Sequence, residues 1–431
     1  MPHVIGLDFG TTNSAIAVST PGGPTTLATF AGDGYRTTTF RSVLYFDPAM
    51  RTADRKPRAV AGPDAIDSYL KAETRGRLMQ SMKSYLSSRL FRDTYVFGEK
   101  YTLEDLIAII LGELRAAAEV QFGDLGGRVV VGRPVHFSGA GSAEEDAFAL
   151  SRLRAALQQA GFDEIVFEYE PVAAAYEFES QLDHDELILI ADFGGGTSDF
   201  SLMQVGPGVR RRGHTAEDIL GTDGVAIAGD TFDSKIVRHV VAPRLGQGSE
   251  YRSAFNKILP VPAWLYTNLE RWHYLSFLKS KKTMQMLTEF RLQAFEPEKI
   301  AALVHIIEYD LGYHLYRAVE QAKIELSGQE TSVLAFSDAA LSIEQSVRRE
   351  QFEGWVAEEI TAIAACLDRL LERTGVRPGD VGSVFMTGGS SFVPAVRHLF
   401  ETRFGAARIR SGGELTSVAK GLALRALDLH G

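Results

Sequence analysis

Three short stretches of this 431-residue chain carry residue types that suit phosphate chemistry. The first is Leu7-Asp8-Phe9-Gly10-Thr11-Thr12-Asn13-Ser14, which leads into the apolar run Ala15–Val18. The second lies 184 residues on, counted from Asp8 to Asp192: Ala191-Asp192-Phe193-Gly194-Gly195-Gly196-Thr197-Ser198-Asp199, leading into Phe200–Val205. A tight Gly/Thr turn between two strands presents successive backbone N–H groups as a concave nest for phosphate oxygens. Glycine at Gly10, Gly194, Gly195 and Gly196 permits positive φ and close approach, and the hydroxyls of Thr11, Thr12 and Thr197 are further donors. A carboxylate beside such a nest opposes bare phosphate unless a cation bridges the two. Asp8, Asp192 and Asp199 therefore imply Mg²⁺, held by Asp8 and Asp192 through its waters. Either hairpin alone reads as ordinary turn chemistry; both together, each with Asp-Phe-Gly at a strand end, favour phosphate binding. The third stretch is Val384-Phe385-Met386-Thr387-Gly388-Gly389-Ser390-Ser391, an apolar strand, a glycine turn and then Pro394 opening a helix. That is the nucleotide-side geometry of α/β sheets.

Other phosphate and hydrolase signatures are missing. The chain has no G-x-x-x-x-G-K-[ST] loop, no H-E-x-x-H and no H-R-D motif,. Three Ser-x-x-Lys matches, at Ser68, Ser276 and Ser417, lack companion motifs. Ten scattered histidines and the single Cys366 form no metal-ligand spacing,.

These residues need strands to present them, and strand-like and helix-like segments alternate along the whole chain, the pattern of an α/β fold. Strands are expected at Val4–Leu7, Ala15–Ser19, Arg128–Val131, Ile165–Glu168, Leu187–Ala191, Phe200–Val205 and Ser383–Thr387. Thr102 with Asp105 forms a capping box for a helix whose apolar face is Leu106, Ile109, Ile110 and Leu114. A second helix runs from Ala143 to Ala160 and stops at Gly161; a third runs from Tyr313 to about Leu326. The two hairpins read as openings of two homologous lobes, since their spacing exceeds any solenoid period. The stretch Val241 to Pro297, with four prolines and the aromatics Trp264, Tyr266, Trp272, Tyr274 and Phe277, reads as an insertion with its own small aromatic core.

Composition sets the outer bounds. Hydrophobic residues make up 45% and charged residues 23%, the balance of an ordinary globular protein. Lys+Arg 45 against Asp+Glu 55 gives a net charge of −10, which argues against broad nucleic-acid binding. The one compact basic run, Arg210-Arg211-Arg212, reads as a solvated turn or hairpin end. No apolar run approaches the roughly 18–20 residues of a membrane span, and the N-terminus has no secretory pattern. One cysteine suits a reducing compartment, so the expectation is a cytoplasmic protein without membrane contact.

The motifs together resemble the actin-like ATPase superfamily, with its ribonuclease H-like α/β fold, and within it the DnaK-type (heat-shock-70) chaperones. Gly6–Ser14 and Asp192–Asp199 are similar to their two phosphate motifs. Glu170-Pro171-Val172-Ala173-Ala174-Ala175 resembles the first inter-lobe connecting helix, and Ser417-Val418-Ala419-Lys420-Gly421 the last. Gly229-Asp230-Thr231-Phe232-Asp233 resembles the segment entering the second lobe's insertion. Glu320-Gln321-Ala322-Lys323 through Ser327 resembles the helix that touches adenosine, and Gly388-Gly389-Ser390 the adenosine motif. The resemblance implies two duplicated lobes around a nucleotide cleft: lobe I at residues 1–184 (insertion about 38–104), completed by 415–431, and lobe II at 185–414 (insertion about 230–348). It implies ATP/ADP and Mg²⁺ as cofactors, and protein clients or co-chaperones as partners. Catalytic roles fall to Asp8, Glu170, Asp192 and Asp199, with Glu170 and Asp199 positioning water. Nucleotide contacts fall to Gly10–Asn13, Gly194–Thr197, Gly229, Asp230, Glu320, Lys323, Ser327, Gly388, Gly389, Ser390 and Phe392. The chain ends just after the last connecting helix, so an ATPase module without a substrate-binding domain is expected, most like the short YegD-type group.

Two departures shape the expected activity. Family members carry a first-lobe lysine beside the γ-phosphate, and aligning Ala61–Ala65 puts Ile66 at that place, with Lys71 as a distant substitute. Losing that charge removes stabilisation where phosphoryl transfer builds negative charge, so slow hydrolysis is expected. Ile324 and Phe392 stand where two arginines sandwich the adenine. The leading reading is a weak chaperone-like ATPase. The alternatives are a nucleotide-binding regulatory or scaffold protein with little turnover, and a small-molecule kinase of the same superfamily, for which no substrate-cleft Asp is identifiable.

Overall fold

In this computed structural model the described residues are 3–32, 35–52, 56–72, 76–179, 182–212, 216–253, 255–270, 275–309, 311–338, 341–411 and 417–430. The chain divides into two compact units. One comprises Met1–Ala228, Ala362–Ser391 and His398–Gly431; the other comprises Gly229–Thr361 and Phe392–Arg397.

The first unit holds two mixed sheets. In one, β1 (Val4–Phe9) pairs antiparallel with β2 (Asn13–Ser19), which continues to β3 (Thr26–Leu27). On its other side β1 runs parallel to β4 (Arg128–Arg133), and β4 to β5 (Glu164–Tyr169). In the second sheet, β6 (Glu186–Phe193) pairs antiparallel with β7 (Ser198–Val205), which continues to β8 (Ile219–Val225). On the other side β6 runs parallel to β9 (Ser383–Thr387), and β9 to β10 (Ile409–Ser411). Order and direction are therefore the same in both sheets: a central strand, a hairpin to one side, two parallel strands to the other. All seven strands expected from the sequence are present.

Near-continuous apolar runs make β1 and β6 central strands buried on both faces. Ile5, Leu7 and Phe9 point to one side of β1, where they join a core with α2 (Leu103–Phe122) and α3 (Ala143–Gln159). Thr102 caps α2: its side chain accepts from the Asp105 amide while the Asp105 carboxylate accepts from the Thr102 amide. Leu106, Ile110 and Leu114 are buried as expected, with Leu103, Ile107 and Leu111, while Ile109 packs only at the margin. After α3, Gly161 adopts φ +89, and the Phe162 amide bonds back to the Leu157 carbonyl, a glycine-terminated helix end.

By strand alternation, Val4, Gly6 and Asp8 face the other side of β1. Ile188, Ile190 and Asp192 form the matching row on β6. Val4, Ile188 and Ile190 share one core with α4 (Glu170–Glu179) and α5 (Ser417–His430). Two glycines set the spacing. A Cβ on Gly6 would lie 2.2 Å from the Ala423 amide nitrogen, and one on Gly421 would lie 1.7 Å from the Ala173 carbonyl oxygen. The backbone of α5 thus lies directly against β1 and α4, and each row ends in a carboxylate just beyond that contact.

In the second unit the hairpin Thr331–Ser337/Ser342–Arg348 alternates buried and exposed residues under the helix Gly312–Gly328. The expected aromatic core of the 241–297 stretch is partial. Tyr266 is buried, its hydroxyl donating to the Leu245 carbonyl at 3.2 Å, and Tyr251 packs on Phe290. Trp264 is 44% exposed, contrary to expectation; Trp272, Tyr274 and the Phe277 side chain lie outside the described residues. Arg210–Arg212 also departs from its expected turn: it ends a short helix, Pro207–Arg212, with Arg212 paired to Asp218. No helix among the described residues is long and apolar enough to cross a membrane.

Gly421→Val forces apart backbones that cannot yield locally, so it should cost about 3 kcal/mol or more and lower Tm sharply. Gly354→Ala, where a Cβ meets nothing within 4 Å, serves as control and should leave Tm unchanged or slightly raised. Equal Tm values for the two variants would refute the close-packed crossing.

Candidate functional site

The site of the first unit begins where the two carboxylate-ended rows stop. Asp8 stands at the end of β1, Asp192 at the end of β6, and Asp199 opposite Asp192 on β7. Glu170 is the first residue of α4. Asp8 and Asp192 keep some exposure, while Glu170 and Asp199 are buried. Two glycines make room for the buried pair. A Cβ on Gly132 of β4 would sit 3.0 Å from Glu170 Cγ, and one on Gly224 of β8 2.6 Å from Asp199 Oδ1.

A lysine sits among these carboxylates. Lys83 Nζ lies 2.8 Å from Glu170 Oε1, with both side chains about nine-tenths buried. It comes from a single 3₁₀ turn, Met82–Tyr85, entered through Ser81 at φ +58. Ile66, expected at this place, instead packs against Val43, Tyr45 and Ala65, and Lys71 is exposed. The expectation that no lysine charge stands here is therefore overturned: Lys83, 17 residues further along than Ile66, lies beside Glu170. It was missed because it arrives on an irregular turn. The segment Gly76–Lys83 looks distinctive in the sequence, but a lone lysine there reads as surface. Buried Met82 and Leu86 on either side of it are the signal that would have found it.

Four carboxylates around one ammonium have electrostatic consequences. Burial pushes Asp8 up to about 8, with the negative charges of Glu170 and Asp192 adding to the rise and Lys83 opposing it. Asp199 is pushed up to about 7, again chiefly by burial, against a 2.8 Å hydrogen bond from the Thr197 hydroxyl. Burial also raises Asp192, against a 2.6 Å hydrogen bond from the Thr387 hydroxyl on the neighbouring strand. Burial alone would lower Lys83, but Glu170, Asp8 and Asp192 outweigh it and hold the ammonium charged. A surplus of buried acid over base is the donor set that accepts a cation. Among the described residues no three His, Cys, Asp or Glu side chains converge as a direct metal-binding group.

The turns beside these carboxylates are tied down individually. Ser42, also missed from sequence, donates its hydroxyl to the Gly10 carbonyl at 2.7 Å, and its amide to the Thr12 carbonyl at 2.9 Å. The Thr11 and Asn13 positions complete that turn. In the second turn the Gly194 amide donates to the Thr197 carbonyl at 2.9 Å, around Gly195 and Gly196. Gly388, at φ +81, brings the third glycine turn so close to the second hairpin that a Cβ would meet the Phe193 carbonyl oxygen at 1.9 Å. Gly389 and the buried Ser390 follow it. The Thr197 hydroxyl, expected to face phosphate, is engaged by Asp199.

The second unit gathers a separate set. Lys323 Nζ pairs with Asp233 Oδ2 at 2.7 Å, and the Tyr316 hydroxyl donates to the same oxygen at 2.8 Å. Asp230 is raised to about 6, first by burial and next by Asp233. Glu320 adds a further negative charge there. Gly229 opens this segment, and its carbonyl lies 3.5 Å from Lys323 Nζ. Ser327 donates to the Lys323 carbonyl at 3.2 Å. Ile324 and Phe392 are both more than half exposed. Tyr316 and Asp233 were not singled out from sequence as site residues.

Asp8 titrates in the unfolded chain near the usual 3.8 and in the fold near 8. A raised carboxyl contributes its full stability below the unfolded value and loses it as pH rises toward the folded one. The Tm difference between Asp8→Asn and the parent should therefore grow from pH 4.5 to pH 8 and then level off. A difference that does not vary with pH would show that Asp8 is not held protonated by its surroundings.

A family model described as Hsp70 protein matches residues 4–247 and 285–431, nearly the whole chain. Both glycine hairpins, the Lys83 turn, Glu170 and the Gly388 turn fall within the match, and the unmatched stretch lies in the irregular 241–297 region. With motif order, paired sheets and a family match in agreement, the chain belongs to the Hsp70 family.

Proposed function

We propose that the protein is a Mg²⁺-dependent, ATP-binding ATPase module of the chaperone type, and that its phosphate end is the carboxylate–lysine group of the first unit. The buried Lys83–Glu170 pair between the two glycine hairpins carries this reading. When bound, Mg²⁺ supplies positive charge to the phosphates, with Asp8 and Asp192 as its water-mediated holders. Backbone amides of Gly10–Asn13 and Gly195–Thr197 bind phosphate oxygens. Lys83, kept charged by Glu170, donates to the oxygen on which negative charge grows during transfer. Asp199, titrating near 7, is able to take a proton from an attacking water at neutral pH. Glu320, Lys323, Ser327 and Phe392 are proposed for the nucleoside, with Phe392 and Ile324 offering apolar faces where relatives use arginines. The equivalent sheets support a duplicated origin, and the likeness of the segment Gly76–Lys83 and the Trp264 region to the short YegD-type members supports a place near them. The Lys83–Glu170 pair favours turnover over the low-turnover alternative that Ile66 suggested.

ADP with Mg²⁺ should raise Tm, since a ligand at a hundredfold excess over Kd stabilises by about 2.7 kcal/mol; EDTA should abolish the Mg²⁺-dependent part. No shift at millimolar ADP would sink the proposal. Lys83→Met should leave the ADP-induced shift in place while lowering single-turnover ATP hydrolysis by about 10²–10³-fold. Unchanged hydrolysis in a folded Lys83→Met protein would remove the lysine from the chemistry.

A further inference from the structure

Lys83 stands on a stretch with almost no regular structure. Between Ser81 and Phe91 the chain makes one 3₁₀ turn and then an irregular path. A lysine side chain and its backbone lose substantial entropy when fixed in one place, so something must hold this loop.

Arg152 of α3 does so. Its side chain is 6% exposed and forms a two-point ion pair with Glu104 of α2: Nε to Oε1 at 2.5 Å and Nη2 to Oε2 at 3.3 Å. The remaining donors go to the loop. Nη1 donates to the carbonyls of Tyr85 at 3.4 Å and Ser88 at 3.2 Å, and Nη2 to that of Phe91 at 3.1 Å. The guanidinium also lies over the Phe148 ring at 5.5 Å. Burial by itself raises Glu104, but the hydrogen bond from Arg152 outweighs it and holds the carboxylate charged. A planar fork of five donors can satisfy a carboxylate and several carbonyls at once, which an ammonium cannot.

We propose that Arg152, anchored on Glu104, is a positioning residue for Lys83, holding the loop that aims the ammonium at Glu170. The inference rests on the phosphate-site reading given above, but its primary test does not need ATP. The carbonyls it holds come two, five and eight residues after Lys83. Met82 and Leu86 fix the loop's apolar side in the core, and Arg152 fixes its polar side.

Arg152→Lys keeps a charge for Glu104 but gives up most of the carbonyl bonds. Glu104→Gln/Arg152→Met removes both charges together, so that no buried charge is left unpaired. Pulsed acetylation followed by peptide mass spectrometry reads each lysine separately. Lys83 should be protected in the parent and several-fold more reactive in both variants. Lys235, paired with Glu359 at 2.7 Å in the other unit with its side chain 13% exposed, should keep its parent reactivity. Unchanged Lys83 reactivity would overturn the proposal; so would Lys83 and Lys235 rising together in Arg152→Lys, which would make the arginine a folding residue only. In single-turnover hydrolysis, a displaced Lys83 should cost up to about 10²-fold at unchanged KM, with no further loss when Arg152→Lys is added to Lys83→Met. If the parent itself does not hydrolyse ATP, the phosphate-site reading fails while the labelling result still decides the clamp.

Discussion

The buried pair of Lys83 and Glu170 is the interaction on which the site depends. Four carboxylates brought to the ends of two sheets repel one another, and a chain that simply buried them would be driven to protonate or to open. One ammonium inside the group offsets part of that repulsion, and its own charge is secured by the same neighbours. Burial, with the residual negative charge adding to it, raises Asp8, Asp192 and Asp199. Functional sites are where such local costs are retained, because the rest of the fold outweighs them.

Structure serves this arrangement at each level. Period-two alternation sends Val4, Gly6 and Asp8 to one face of β1, and Ile188, Ile190 and Asp192 to one face of β6. Apolar members of each row bind the α4–α5 pair, so the last member of each emerges at the edge of that contact. Glu170 enters from the first turn of α4, opposite a glycine that leaves it space. Thr387 and Thr197 then fix carboxylate rotamers by single short hydrogen bonds. The four carboxylates stand on strands or at a helix start, whereas Lys83 and Thr197 come from turns.

That contrast explains what was legible in the sequence. Both hairpins, all seven strands, the Thr102 cap and the Gly161 stop follow from periodicity and turn chemistry, which are local. Asp8, Asp192 and Asp199 announce themselves by sitting at strand ends beside glycine turns. Lys83, Ser42, Thr387 and Arg152 do not, because their roles come from partners 28 to 195 residues away, and no spacing rule reports such a pairing. Ile66 was misassigned for the same reason: a position inferred by counting along a variable stretch says nothing about which side chain reaches the site. Trp264 shows the limit on the apolar side, since an aromatic cluster in sequence need not be a core in space.

The contact between Gly6 and Ala423 joins residues 417 positions apart in the sequence. The helix-facing row of β1 is therefore synthesised long before its cover, α5. Until α5 arrives, Val4, Val130 and the small-residue face of α4 lack part of their core. Long-range closure of this kind slows folding and leaves apolar surface open in the meantime. A protein of a chaperone family thus has a birth during which its own central core waits, uncovered, for α5.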